Sequence, residues 1–315
     1  MADPVLHIKD GYFFEVPKFM WRYDFASREA VQEKFSFIPH LTADYPEATA
    51  ADFSKALSGK IIIPQPFATL KNLHDKESGF AISKFMILEL LAAALLVLVF
   101  SRIASRISTG GPPRGKVWNL LEAILLFVRD QVAVPAMGKH EAERFTPLLW
   151  TIFFFVLTCN LFGMIPWLGA PTGVFAVTGG LACVTFTATV VSGMRQFGFV
   201  GFWKNLVPHI DLPVLLFPLK IIIFLIEVMS LCIKHFILSV RLLANMVAGH
   251  LVLLGIMGLI AVAASHGPGQ WLLVTFISVI SSTLFSLLEL FVAFLQAYVF
   301  TFLSALFIGA AIHHH

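Results

Sequence analysis

Residues 227–250 read EVMSLCIKHFILSVRLLANMVAGH, and they set a carboxylate (Glu227), an ammonium (Lys234), a guanidinium (Arg241), a carboxamide (Asn245) and two imidazoles (His235, His250) in an otherwise apolar run. Ionisable groups at membrane depth cost about 3 kcal/mol or more for an Arg near the bilayer centre, so they are functional candidates by default. An Arg cannot shed its charge, because its pKa lies above about 12. Residues of these types can hold a fixed positive charge against a passing carboxylate and relay protons to it.

Spacing divides the cluster. Glu227, Lys234 and Arg241 recur every seven residues, a step that drifts only about 20° round a helix. Asn245 and Ala248 continue that side by one and two turns. His250 stands nine residues beyond Arg241, roughly 180° round, and faces something else. Further on, Glu289 and Gln296 are again seven apart and share a face. An antiparallel pairing of the two helices brings Glu289 towards His250 and Gln296 towards Arg241. Ala244, Ala248 and Gly249 flank the Arg241–Asn245 turn, and small residues let a neighbouring helix come close. For Glu227 and Lys234 the plainer alternative is an internal ion pair, and for His235 a packed imidazole. Asn160 is the one strong polar group of an earlier span, and its ordinary role is an interhelical hydrogen bond.

These groups need membrane helices to position them. The chain has 315 residues, 58% hydrophobic and 13% charged, with several runs of nearly uncharged residues long enough to span a bilayer. The runs are continuous and do not alternate, which excludes a transmembrane barrel. A net charge of +3 gives no reason to expect a nucleic-acid partner. Cys159, Cys183 and Cys232 lie inside apolar spans and read as small buried thiols. His140, Glu141 and Glu143 resemble metal ligands only superficially and read as a solvated loop. Neither a metal nor a cofactor is expected.

In order, residues 1–80 read as a polar extension broken by Pro17, Pro39, Pro46, Pro64 and Pro66, and residues 81–315 as the membrane domain. The extension could lie on a membrane surface, on a neighbouring subunit, or in water. A first span covers about 82–100. An amphipathic surface helix follows, with Val117, Leu120, Leu121, Ile124, Leu125, Val128 and Val132 on one face, ended by Pro135 and Gly138. A transmembrane hairpin occupies 147–165 and 174–193. Residues 219–264 hold no proline, and a split at Lys234–His235 would expose unpaired backbone in lipid. They are expected to form one helix of roughly 70 Å, strongly tilted or curved in a ~30 Å hydrocarbon core. Residues 271–312 make a second long helix. The expected class is therefore an all-α polytopic membrane protein with a surface helix, a hairpin and two long tilted helices. Arg102, Arg106, Arg114, Lys116, Arg195 and Lys204 mark cytoplasmic loops, which puts the N-terminus outside and the C-terminus inside. With those sides, polar groups reach Arg241 from both aqueous phases along different faces, as two offset half-channels separated by a fixed charge require.

At SVRLLANMVAGH the sequence resembles subunit a of the F-type ATP synthase, whose RLxxNxxxG pattern falls on Arg241, Asn245 and Gly249. EAILLFVRDQVAVPAMGK, FFFVLTCNLFGMIPW and LELFVAFLQAYVFTFL extend the resemblance over about residues 82–312. It implies that Arg241 is the stator arginine facing the rotor ring's carboxylates, with Asn245 and Gln296 beside it. Glu227, with Lys234 in the same stripe, then borders the inner half-channel, and His250 with Glu289 lines the outer one. Many bacterial members carry Glu and His in the opposite order at these last two positions, so the pair here resembles the mitochondrial form. The implied partners are the rotor c-ring, peripheral-stalk subunit b, other ATP synthase subunits and the lipid bilayer. The implied site is a bacterial inner membrane, or alternatively the mitochondrial one, in a complex whose nucleotide sites lie on other chains. The rival reading is a self-contained secondary transporter, which would favour inverted repeats and Gly/Pro-broken helices.

Overall fold

The computed structural model describes residues 10–107, 115–165, 168–206 and 217–313. Arg114, expected as a cytoplasmic-loop marker, lies outside them.

The stretch expected as a proline-broken extension closes around a core of its own. Strand β1 (Phe13–Glu15) precedes helices α1 (Arg28–Lys34) and α2 (Ala50–Leu57), and strands β2 (Lys60–Ile62), β3 (Ala68–Leu70) and β4 (Lys76–Gly79) follow. β1 pairs antiparallel with β2, setting Glu15 opposite Lys60, and β3 pairs antiparallel with β4. Phe13, Val31, Phe35, Ile38, Phe53, Leu57, Ile62 and Leu70 are all buried together. Each helix begins where a side chain satisfies the first-turn donors. Ser27 Oγ accepts from Ala30 N–H at 3.2 Å. Thr49 and Asp52 form a reciprocal capping box, Thr49 N–H donating to Asp52 Oδ2 at 2.9 Å.

Two contacts seat this domain on the membrane helices. The Gln65 carboxamide donates to Ile82 C=O and accepts from Ile82 N–H, both at 2.8 Å. Lys84 N–H donates to Gly11 C=O at 2.9 Å.

Five helices are long and apolar enough to cross a membrane among the described residues. They are α3 (Lys84–Ile107), α6 (Lys139–Gly163), α7 (Phe175–Phe197), α9 (Phe217–Ala263) and α10 (Pro268–Ile312). Between α3 and α6 run α4 (Lys116–Phe127), a wide turn over Val128–Ala133 and α5 (Val134–Met137); α8 (Phe199–Asn205) follows α7. The core joins α6 and α10 to the wide turn, with Val128, Val132, Leu149, Val156, Phe300 and Ile308 fully buried.

The surface helix does not stop at Pro135. At the wide turn Val134 N–H reaches back to Arg129 C=O, a five-residue step, and Pro135 sits in the first turn of α5, where its missing N–H leaves no gap. Gly138, at φ 76°, ends the run. The apolar face of this helix is divided: Val117 and Leu120 are exposed, whereas Val128 and Val132 are buried. Trp150 Nε1–H anchors its middle by donating to Leu125 C=O at 2.9 Å.

α9 is a single helix of 47 residues and α10 one of 45, unbroken through every polar position named above. At ~1.5 Å per residue α9 is ~70 Å long and cannot stand upright within a ~30 Å layer. Ser265, His266 and Gly267 reverse the chain between the two, with Gly267 at φ 101°. Only Cys159 is a buried thiol; Cys183 and Cys232 are exposed, because α7 and α9 turn those faces away from the core. His140 and Glu141 lie on the exposed first turn of α6, not in a loop.

Candidate functional site

Through the middle of α9 the buried side chains are His235, Leu238, Ser239, Leu242 and Met246, the 3–4 spacing of a helix face packed on its neighbours. Arg241 lies about 120° round from the centre of that face. Asn245 and Glu227 share its side and are half-buried, Lys234 is exposed, and Ala244 and Ala248 are open beside them. Among the described residues no carboxylate forms an ion pair with Arg241. The stripe therefore faces away from this chain's own core, and its permanent charge has no counterion among the described residues.

His250 points the other way and meets α10. His250 Nδ1 stands 2.8 Å from Glu289 Oε1, the approach expected from antiparallel helices. His250 Nε2 stands 3.0 Å from Gly163 C=O. A carbonyl can only accept, so Nε2 carries a hydrogen. The Nδ1–Oε1 contact then holds a proton of its own, on the imidazole as an ion pair or on the carboxyl as a neutral pair. One proton can move between two atoms without either side chain moving.

Backbone geometry makes the pair possible. A Cβ at Gly249 would lie 2.8 Å from Glu289 Oε1, so α10 can lay its carboxylate against α9 only where a glycine stands. At Gly163 a Cβ would strike Met246 and Ala170, so glycine there lets the end of α6 come close enough to offer its carbonyl. Glu289 is 8% exposed. A cavity of about 280 Å³ opens beside the pair, bounded by Glu15, Lys84, Ser286, His250 and Glu289.

Asn160 sets the register of α10 at this point. It is fully buried, donates to Ala293 C=O at 3.3 Å and accepts from Thr172 Oγ1–H at 2.8 Å. Ala293 is one turn beyond Glu289, so the interhelical bond expected of Asn160 fixes the carboxylate's height on α6. Gln296 is buried on the face of Glu289, and no hydrogen bond joins it to Arg241 among the described residues. His235 is a packed imidazole, its Nδ1 2.9 Å from Leu231 C=O and its ring against Phe186 and Phe307.

Sequence reasoning did not reach Gly163, Glu15, Lys84 or Ser286. Gly163 acts through its backbone, and its only trace was a glycine three residues past Asn160. Glu15 and Lys84 reach the cavity through the fold of the N-terminal domain.

Residues 86–309 match the family described as ATP synthase A chain. The ATP synthase subunit a of Myxococcus xanthus (strain DK1622) is 42% identical over 249 residues, covering 78% of each chain. That of Anaeromyxobacter sp. (strain Fw109-5) is 34% identical over 309 residues, 98% of this chain and 70% of the relative. The ATP synthase subunit a 2 of Chlorobaculum tepidum is 36% identical over 305 residues, 91% of this chain and 83% of the relative. A match spanning the helices that carry Arg241, His250 and Glu289 shows that this chain belongs to the ATP synthase A chain family.

Proposed function

We propose that this chain is the ion-translocating stator subunit of a rotary F-type ATP synthase. In this reading it forms two offset half-channels to a rotor-ring carboxylate and holds them apart with Arg241. The observation that carries the proposal is the pairing of opposites on α9. Among the described residues Arg241 has no carboxylate partner, and it stands beside the open small residues Ala244 and Ala248, while His250, on the other side, is engaged with Glu289. The first is a surface that suits a passing carboxylate on another subunit, and the second is a proton relay with its own cavity.

A rotor carboxyl crosses lipid in its neutral form. Facing Arg241 it is favoured as the anion and gives up its proton, and the fixed charge blocks direct leakage between the half-channels. Glu227, Lys234, Asn245 and Gln296 serve the cytoplasmic side and the rotor face; His250 and Glu289 serve the outer side. The partners are the c-ring, peripheral-stalk subunit b and the remaining ATP synthase subunits. The chain crosses a bacterial inner membrane several times with its N-terminus outside and its C-terminus in the cytoplasm. Unbroken α9 and α10 argue against a secondary transporter, whose substrate sites are built from interrupted helices.

The test pairs two measurements. Cysteines placed along the 241–248 face should cross-link to a small helical-hairpin protein carrying one midmembrane carboxylate. Arg241→Ala should abolish proton-driven ATP synthesis in the assembled complex. Synthesis near the wild-type rate in that variant would remove Arg241 from the mechanism.

A further inference from the structure

The cavity beside His250 and Glu289 is bounded by the N-terminal domain as well as by the membrane helices. Glu15 is the last residue of β1 and Lys84 the first of α3, and both line the same space of about 280 Å³. That volume is many times what one water needs, and its lining of two carboxylates, an ammonium, an imidazole and the Ser286 hydroxyl supplies the polar partners that ordered water requires.

The fold holds Glu15 in this wall. Its backbone is fixed by the β1–β2 ladder opposite Lys60. The sheet is fixed to the start of α3 through the Gln65 clamp on Ile82 and the Lys84–Gly11 bond. Lys84 is 5% exposed, its Nζ 4.9 Å from the Phe85 ring centroid, and it feels the charges of Glu15 and Asp10. A buried ammonium is retained where acids balance it, and Lys84 in turn balances the charge of Glu15.

We propose that Glu15 is the proton-collecting acid at the mouth of this cavity, so that the N-terminal domain is part of the ion path. This rests on His250 and Glu289 being the outer relay. Glu15 takes a proton from external water onto a carboxylate oxygen and gives it up to cavity water. From there it passes to the His250–Glu289 slot, and only O–H and N–H bonds form and break. The Glu15–Lys60 and Lys84–Gly11 pairings thus position a transfer group.

The experiment uses the assembled synthase in right-side-out membrane vesicles, with passive proton conduction read after the catalytic sector is stripped. Glu15→Cys should lower conduction about tenfold, the scale on which a charged cleft raises the arrival of an oppositely charged ion. Treatment from outside with 2-carboxyethyl methanethiosulfonate returns a carboxylate to position 15 and should restore conduction. The trimethylammonium analogue should not, and Glu15→Asp should stay near wild type. Wild-type vesicles receive the same reagents to account for the native cysteines. Unchanged conduction in Glu15→Cys overturns the proposal, as does a loss that neither Glu15→Asp nor the carboxyl adduct repairs. If Glu289→Gln is blocked in the same assay, the outer relay still stands. If Glu289→Gln conducts like wild type, relay and proposal fall together.

Discussion

His250 and Glu289 share a single proton slot: Nδ1 and Oε1 are 2.8 Å apart, and the far nitrogen of the ring is held on Gly163 C=O at 3.0 Å. The ring cannot flip without losing both bonds. Its tautomer is therefore set by a backbone carbonyl on a third helix, and the state of the slot is left to the proton supply.

Glu289→Leu removes one wall of that slot and leaves a buried imidazole nitrogen without its partner, a loss of about 1–3 kcal/mol. The complex should still assemble, because α10 is held elsewhere by Asn160 and the Phe300–Ile308 core. Passive proton flux through stripped vesicles should fall sharply. Flux equal to wild type removes Glu289 from the path.

Gly249→Ala tests the same slot through geometry alone. Its new methyl would stand 2.8 Å from Glu289 Oε1, so the carboxylate must move, and a displacement of about 1 Å can cost on the order of 10²-fold in a positioned transfer. Proton conduction should drop while the amount of assembled complex, read by native gel, stays constant. Full conduction would mean that the carboxylate has room the structure does not give it.

Asn160→Leu should lower stability more than function. It abandons the Ala293 carbonyl and the Thr172 hydroxyl together, and interhelical hydrogen bonds in membranes are worth about 0.6–2 kcal/mol. Thermal unfolding of the detergent-solubilised chain should shift downward, and Asn160→Gln should not fully repair it because the longer side chain misplaces both contacts. An unshifted midpoint would show that the register of α10 is set elsewhere.

In the N-terminal domain, the Thr49 hydroxyl and then the Thr49 backbone N–H hold the Asp52 carboxyl below its ordinary value of 3.8. A depressed carboxyl stabilises the folded form above its unfolded pKa, and that contribution disappears as pH falls through the lower folded pKa. Hydrogen exchange over α2 should therefore quicken as pH drops below about 4, once intrinsic exchange is corrected for. Asp52→Ala should show the faster exchange at every pH. A flat wild-type profile would detach the cap from α2's stability.

The membrane part was legible because its logic is local and periodic. The absence of proline from 219 to 264 and the cost of bare backbone in lipid were enough to expect one helix where α9 stands. The half-turn offset of His250 from Arg241 was enough to send it towards Glu289. What the sequence hid depends on partners distant in the chain or on backbone atoms. Phe13 finds Ile62 at a separation of 49 positions in the chain, and nothing periodic announces three-residue strands. Pro135 reads as a stop, yet the wide turn before it absorbs the missing donor. The exposure of Cys183 and Cys232 depends on which side of α7 and α9 the core lies, and composition does not specify that.

Because α9 carries Arg241 and His250 on one uninterrupted rod, their separation is fixed at ~13 Å along the axis and a half-turn in phase. One residue inserted between them would rotate the relay by ~100° relative to the stripe, and no loop lies between them to take up the error. The reversal at Ser265–Gly267 can lengthen or shorten, but the segment from 241 to 250 cannot. Within this chain, changes between 241 and 250 that keep the geometry are therefore exchanges of side chain at constant length.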